Sequence, residues 1–134
     1  MQSQGSVRVL IADNQPVLRE GLNTVLMQQP DLKPIGQATS EAEALALCQW
    51  LQPDVIVVDG TMHVARIVKR LRKRAVSCKV VALVEPVANR SLSVVVRSGV
   101  DGVVSLKEPP EKIVEAIRTV AKGSKYLPEV GPAT

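Results

Sequence analysis

The sequence predicts an α/β domain in which a parallel, doubly wound sheet of five strands is covered by five helices. Short apolar runs alternate along the 134 residues with segments of helical period, a pattern typical of successive βα units. The runs at 7–12, 55–58 and 80–84 are almost uninterrupted Val, Ile and Leu. Strands buried on both faces have this composition, and right-handed crossovers then place helices on both sides of the sheet.

Five segments are predicted as strands. They cover residues 7–12, 34–38, 55–58, 80–84 and 103–106. The second segment is the weakest, because Pro34 has no N–H to donate to a strand ladder. A proline is tolerated mainly at the edge of a sheet, so this strand is expected to be an edge strand.

Five helices are predicted from apolar stripes at helical spacing. Pro16 suits the first turn of the first helix, and Ser40 with Glu43 forms a capping box before the second. Pro110 opens the fifth helix. The residues expected to face inward are, helix by helix, Leu18, Leu22, Val25 and Leu26; Ala44, Leu47, Cys48 and Leu51; Val64, Ile67, Val68 and Leu71; Leu92, Val95 and Val96; and Ile113, Ala116, Ile117 and Val120.

The composition indicates one domain with an aliphatic core. Hydrophobic residues make up 46% of the chain, whereas Trp50 and Tyr126 are its only aromatic residues. No apolar run approaches the roughly 18 residues of a membrane span, so no membrane association is expected. Cys48 and Cys78 lack metal-ligand spacing and are expected to be buried structural thiols in a reducing cytoplasm.

The net charge of +4 is unevenly distributed along the chain. The segment 60–84 contains no acid but seven basic residues, namely Arg66, Lys69, Arg70, Arg72, Lys73, Arg74 and Lys79. The simplest interpretation is the solvated face of an amphipathic helix. The alternative is a docking surface for an acidic partner or nucleic acid, although the lack of interleaved aromatic residues disfavours base stacking.

Two carboxylates stand at predicted strand ends. Asp13 follows the first strand and Asp59 the third. In the flavodoxin-like strand order 2-1-3-4-5 these strands are neighbours at the switch point, where ligands collect. Alone, Asp13 could be a helix cap and Asp59 a turn residue before Gly60. Together they indicate a shared site that could bind a divalent cation or use one carboxylate as a nucleophile.

Several motifs resemble the receiver domains of response regulators. The segment 11–22, IADNQPVLREGL, is similar to the start of the NarL/FixJ-like subfamily, and 53–59, PDVIVVD, to the strand that carries the phospho-accepting aspartate. The segment 98–102 resembles a conserved turn, and 110–117 the last helix. The run at 123–127 resembles the approach to a linker before a helix-turn-helix output domain. The resemblance covers residues 7–127.

The resemblance implies a regulatory domain of a bacterial transcription regulator, located in the cytoplasm, and not an enzyme. No phosphate-binding loop or Ser-His-Asp triad is present to suggest independent turnover. Asp59 would accept a phosphoryl group from a histidine kinase. Asp13, Asp59 and the backbone carbonyl of Thr61 would bind Mg²⁺, which neutralises charge on the transferring group.

The resemblance also implies the domain organisation and the contacts. Residues 7–125 would be the receiver domain, and 126–134 the start of a linker to an absent output domain, which alone would bind DNA. Residues 1–6 lack the charged and apolar regions of a signal peptide and are expected to be a disordered leader. Homodimerisation would use helix four, strand five and helix five. Val94, Val100 and Val114 are candidate exposed contacts on that face, with the core as the alternative location.

Four positions depart from the family pattern, which predicts a degenerate site. Asn14 replaces the second acid, Val84 a hydroxyl residue, and Val103 the switch aromatic. Leu106 aligns with the family's lysine, and Lys107 follows one place later. Because side chains alternate along a strand, Lys107 could contact a phosphoryl group only if a bulge turned it inward. A site short of donors and cations stabilises an aspartyl phosphate poorly, so weak Mg²⁺ binding and weak or absent phosphorylation are expected.

Two alternatives remain open. An ordinary Mg²⁺-dependent receiver using Asp59 would need Lys107 to reach the pocket. A flavodoxin-like module that binds a small ligand near Asp13, Asp59 and His63 is the other alternative. The loop at Met62 is several residues shorter than in the family, and this shortening could open such a pocket.

Overall fold

The computed structural model describes residues 5–85 and 89–128, except for the side chains of 89–91. Its elements are β1 (Val7–Ala12), α1 (Pro16–Met27), β2 (Leu32–Ala38), α2 (Glu41–Leu51), β3 (Val55–Asp59), α3 (Val64–Lys73), β4 (Lys79–Val84), α4 (Asn89–Arg97), β5 (Gly102–Ser105) and α5 (Pro110–Ala121). The strands pair in parallel in the order β2-β1-β3-β4-β5. The predicted fold class and strand order are confirmed.

Strand β2 lies at the edge of the sheet, as Pro34 predicts, but it is longer than expected. It begins at Leu32, which is buried in the core. The register with β1 shifts at Ile35, because Pro34 pairs with Val9 while Gly36 pairs with the next residue of β1. The shift leaves Ile35 without a partner in the ladder. The extension to Leu32 could not be predicted from the sequence, because Pro34 interrupts the apolar pattern.

Strand β5 is shifted towards the N-terminus relative to the prediction. It runs from Gly102 to Ser105, so Leu106 lies just beyond the strand. The Leu106 N–H still donates to the carbonyl of Val84 at 2.8 Å. This bond holds the residue after β5 against the end of β4.

Two aliphatic layers cover the faces of the sheet. Helices α2, α3 and α4 contribute to one layer, and α1 and α5 to the other. The predicted apolar stripes face these layers, and α2 adds Leu45. Cys48 and Cys78 are both buried in the first layer as free thiols. Among the described residues, no helix is long and apolar enough to cross a membrane.

The capping box of α2 forms in a modified way. The Ser40 hydroxyl accepts a hydrogen bond from the Glu43 N–H at 3.1 Å. Glu43 accepts in return from the N–H of Thr39 at 2.6 Å, one residue earlier than the capping-box pattern predicts. Both bonds satisfy backbone donors at the start of the helix. At the other end of α2, Trp50 is 82% exposed.

Of the three valines considered as exposed contacts, only Val94 is exposed, at 62%. Val100 is 2% and Val114 4% exposed, so these two candidates lie in the core, which is the location that the sequence left open beside exposure. Val114 is buried because α5 packs a broad stripe on the sheet. Val100 belongs to the aliphatic layer that contains α3.

The chain beyond α5 remains attached to β5. Tyr126 forms a parallel bridge with Gly102; its N–H donates to the carbonyl of Asp101 at 2.9 Å, and its carbonyl accepts from the N–H of Val103 at 2.9 Å. The predicted linker, 126–134, therefore starts at an anchored residue. Residues 129–134 of that linker and 1–4 of the predicted leader lie outside the described residues.

Asp101 is only 6% exposed and connects strand β4, helix α3 and the segment that follows α5. Its carboxylate accepts hydrogen bonds from the Val80 N–H at 2.8 Å, from Lys125 at 3.0 Å and from Arg72 at 3.5 Å. Asp101→Ala would leave these donors without their acceptor. We expect a loss of about 2–4 kcal/mol in the free energy of unfolding, measured by urea denaturation.

A matched control is the exposed pair of Asp31 and Arg118, whose side chains are 44% and 41% exposed. Asp31→Ala should cost less than about 1 kcal/mol, because exposed ion pairs contribute little. Equal losses for the two variants would contradict the structural role assigned to Asp101.

Candidate functional site

The two carboxylates at the strand ends lie side by side. Asp13 directly follows β1 and Asp59 is the last residue of β3. These strands are adjacent, with Ala12 opposite Val58. Asp13 is 0% and Asp59 2% exposed. The strand order therefore brings two buried acids together at the carboxyl edge of the sheet, close enough for their side chains to interact.

Asp59 accepts hydrogen bonds from neutral donors. Its Oδ1 accepts from the Thr61 N–H at 3.0 Å. Its Oδ2 accepts from the Thr61 hydroxyl at 2.9 Å and from the Gln15 side-chain amide at 3.2 Å. Among the described residues, none forms an ion pair with Asp59. Within the described part of the chain, the Asp59 carboxylate is therefore held by dipolar donors and by no side-chain cation.

One oxygen of Asp13 lacks a partner. Its Oδ1 accepts from the Gln15 N–H at 2.8 Å, whereas Oδ2 is buried without a hydrogen-bond partner among the described residues. Burial, in the first place, and the nearby charge of Asp59 raise the pKa of Asp13, and the Gln15 N–H opposes this shift. A proton shared with Asp59 or a bound cation would relieve the repulsion between the two acids.

A cleft of about 400 Å³ opens beside Asp59, at the ends of β3 and β4 and next to α4. Its aliphatic walls are formed by Leu83, Val84, Leu92, Val95 and Leu106. Its polar boundary is formed by Gln15, Asp59, Thr61 and Glu85. No described lysine or arginine is among the lining residues, so the cleft combines apolar walls with two carboxylates.

The four positions predicted to depart from the family pattern, and Lys107, occupy different places. Val84 and Leu106 both line the cleft. Val103 is 4% exposed and packs in the core. Asn14 is exposed at the turn after β1. Lys107 is also exposed, and it is not among the residues that line the cleft.

His63 lies away from the cleft beside Asp59. With Met62 and Val94 it borders a separate groove of about 340 Å³ between the start of α3 and α4. The short loop after β3 therefore has a pocket on each side. The small-ligand alternative places His63 with Asp13 and Asp59, whereas the structure places it in the other groove.

Gly60 allows the end of β3 to approach β4 closely. Its N–H donates to the carbonyl of Leu83 at 2.6 Å. A Cβ at this position would lie 2.5 Å from that oxygen and 3.0 Å from Cγ1 of Val84. Only glycine fits this approach without displacement. The contact therefore holds the Val84 wall next to Asp59.

The cleft contains residues that the motifs did not reveal. Gln15 reaches Asp59 with its side chain, although no local pattern marks it as a site residue. Leu92 and Val95 were recognised only as members of a helical stripe, and they also form one wall of the cleft. Glu85 adds a carboxylate directly after β4.

Comparison with known families agrees with this geometry. The sequence profile of the response regulator receiver domain matches residues 9–118. The chain belongs to the response regulator receiver domain family. The chain is thus a receiver domain of the kind found in two-component response regulators, and its sheet order is that of the receiver fold.

Relatives of this receiver domain include two Escherichia coli K12 proteins. The nitrate/nitrite response regulator NarL is 28% identical over 134 residues, covering 96% of this chain and 61% of NarL. The nitrate/nitrite response regulator NarP is 30% identical over 125 residues, covering 91% of this chain and 58% of NarP. The receiver domain therefore spans about three fifths of the length of these relatives.

Solved structures show the same fold. The receiver domain of a NarL response regulator from Mycobacterium tuberculosis has a TM-score of 0.83 at 25% identity and covers 90% of this chain and 99% of its own. The apo receiver domain of RcsB from Salmonella enterica has a TM-score of 0.84 at 22% identity, with coverages of 93% and 95%. The second likeness concerns the fold alone.

Removing the charge of Asp13 should stabilise this receiver domain. A raised pKa means that the folded state binds the proton more tightly than the unfolded chain. The resulting stability is complete below the ordinary aspartate pKa and is lost as the pH rises through the folded-state pKa. We expect Asp13→Asn to exceed the wild type by about 0.5–2 kcal/mol at neutral pH, and the difference to shrink as the pH falls.

Chemical denaturation in chelator at several pH values would measure this difference. Glu20→Gln removes one negative charge from an exposed position of α1 and serves as the control. A stability difference for Asp13→Asn that stays constant with pH would contradict the expected repulsion between the buried acids.

Proposed function

We propose that this receiver domain is degenerate and regulates through its surface contacts, with weak or absent phosphorylation of Asp59. One observation carries this proposal. Val84 and Leu106 line the cleft beside Asp59, at the positions where the family resemblance implies a hydroxyl and a lysine. Neither aliphatic side chain can donate a hydrogen bond to a phosphoryl oxygen.

An aspartyl phosphate needs donors and cations to compensate its added charge. Among the described residues, the side-chain donors at Asp59 come from Thr61 and Gln15, and both are already bonded to the carboxylate. Lys107 is exposed and does not line the cleft. We therefore propose that Lys107 does not contact a phosphoryl group in this conformation.

Magnesium fits the acid pair, although with fewer charges than the family pattern provides. The unpartnered Asp13 Oδ2 and the Asp59 carboxylate would be ligands, together with the backbone carbonyl of Thr61. A bound Mg²⁺ would neutralise charge at the carboxylates and on a transferring group. Asn14 adds no negative charge, so the proposed binding is weak.

An ordinary Mg²⁺-dependent receiver is the second candidate function, and the orphaned Asp13 oxygen is the observation that favours it. A magnesium titration followed by NMR tests this candidate. Asn14→Asp should tighten binding by about tenfold or more, because it adds a charged ligand. Absence of binding by the wild type at millimolar magnesium would eliminate the second candidate.

The partners of the whole regulator are also proposed from the family. A histidine kinase would be the upstream partner, and a domain outside this chain would bind DNA. The face formed by α4, β5 and α5 would support homodimerisation, with Val94 as an exposed apolar contact. The regulator would act in the cytoplasm.

Labelling with acetyl phosphate tests the leading proposal. The wild-type domain would be incubated with acetyl phosphate and Mg²⁺ and its intact mass measured, with Asp59→Asn as the matched control. We expect little or no added phosphate in either protein. Stoichiometric labelling that requires Mg²⁺ and disappears in Asp59→Asn would overturn the proposal in favour of the second candidate.

A further inference from the structure

We infer that the cleft beside Asp59 is a binding site for a small organic cation, a primary ammonium compound with an apolar body. The inference rests on the proposed function, because a phosphoryl group on Asp59 would occupy the same space.

The shape and walls of the cleft match a hydrocarbon body. A volume of about 400 Å³ lies within the usual range for small-molecule sites, which combine apolar walls with a few polar groups. Leu83 and Val84 form the wall from β4, and Leu92 and Val95 the wall from α4. Leu106 adds a further aliphatic surface. An alkyl or aryl group placed among these side chains would be removed from water.

The charge at the cleft selects the head group. Asp59 and Glu85 line it, and neither forms an ion pair with a described residue. No described lysine or arginine lines the same space. Over the described lining residues the charge is therefore negative, which repels an anionic ligand and favours a cation. Asp59 is 2% exposed, so the interaction is poorly screened by water.

The free acceptors at the cleft favour a primary ammonium over a quaternary one. Asp59 Oδ1 accepts one hydrogen bond, from the Thr61 N–H, and a carboxylate oxygen can accept a second. Gln15 donates its side-chain amide N–H to Asp59, which leaves its carbonyl oxygen available as an acceptor. A group with three N–H donors can bond to both acceptors, whereas a quaternary ammonium has no donor.

Three probes with the same six-carbon tail test the inference: hexylammonium, hexanol and hexanoate. Titrations of the ¹⁵N-labelled domain would be followed by NMR. We expect hexylammonium to shift the amide signals of Gln15, Gly60 and Leu92 and to saturate with a dissociation constant of about 1 mM or lower. Hexanol should bind about tenfold more weakly, because the charge-assisted hydrogen bond is absent. Hexanoate should not bind in the cleft.

Two variants assign the binding to the cleft. Asp59→Asn should weaken hexylammonium binding by about tenfold and leave hexanol binding unchanged. Asp31→Asn removes a carboxylate at an exposed ion pair elsewhere and should leave both affinities unchanged. Equal affinities for hexylammonium and hexanoate, shifts located outside the cleft, or an Asp59→Asn variant that binds like the wild type would each overturn the inference.

Two independent experiments distinguish failure of this inference from failure of the proposed function. Acetyl phosphate labelling without a probe tests the proposed function alone, and the amine titration without acetyl phosphate tests the inference alone. Stoichiometric labelling together with saturable hexylammonium binding would overturn only the proposed function. Absence of both would overturn only the inference.

Discussion

The double variant V84T/L106K should bind beryllofluoride and retain a phosphoryl group from acetyl phosphate on Asp59, whereas the wild-type domain should do neither. Both substituted positions line the cleft beside Asp59, so the new hydroxyl and ammonium can reach a group bound to that carboxylate. Removing a single donor to a developing oxyanion typically costs about 100-fold or more in rate. We therefore expect a gain of about this size in phosphorylation rate, measured by intact mass and by fluorine NMR.

Three control variants test whether the gain in phosphorylation depends on Asp59, on the cleft and on Lys107. V84T/L106K/D59N should lose the gain entirely, because the acceptor is absent. Val94→Thr makes the same chemical change at an exposed position outside this cleft and should have no effect. Lys107→Ala tests whether Lys107 supports any residual labelling of the wild type. No gain in the double variant would show that its two aliphatic wall residues are not what limits phosphorylation.

Gly60→Ala should be the most destabilising small substitution where the C-terminal ends of β3 and β4 contact each other. The added Cβ would lie 2.5 Å from the Leu83 carbonyl oxygen, a backbone atom that cannot move without disturbing β4. The Gly60 N–H also donates to this oxygen at 2.6 Å, so the strand end must shift. We expect a loss of about 1–3 kcal/mol in the free energy of unfolding.

Gly21→Ala is the matched control for this substitution. Gly21 lies in α1, and a Cβ there would meet nothing within 4 Å. Alanine is more favourable than glycine within a helix, so we expect Gly21→Ala to stabilise the domain by about 0.5–1 kcal/mol. Urea denaturation followed by circular dichroism would measure both variants. A neutral effect of Gly60→Ala would contradict the tight approach of β3 and β4.

The position of the acid pair could be predicted because it depends on simple rules. Asp13 and Asp59 each follow an apolar strand, and the strand order makes those strands neighbours. A carboxylate at each strand end then has little choice of location. The edge position of β2 followed from Pro34 in the same way, since one missing N–H restricts where a strand can pair.

The walls of the cleft could not be predicted from local patterns. Leu92 and Val95 belong to a helical stripe, and a stripe does not distinguish the core from a cleft wall. Leu106 and Lys107 are consecutive, and which of them faces Asp59 depends on where β5 ends. Gln15 contacts Asp59 through a tertiary hydrogen bond. These features depend on packing between elements that are distant in the sequence.

The exposure of Trp50 has a practical consequence for experiments on this domain. Trp50 is the only tryptophan in the chain, and its indole is 82% exposed in the folded state. Its fluorescence should therefore come from a hydrated ring before and after unfolding, so emission intensity would be a poor reporter of the folding equilibrium. The same indole would instead report the approach of any molecule that covers the outer side of α2, through a blue-shifted spectrum and protection from soluble quenchers.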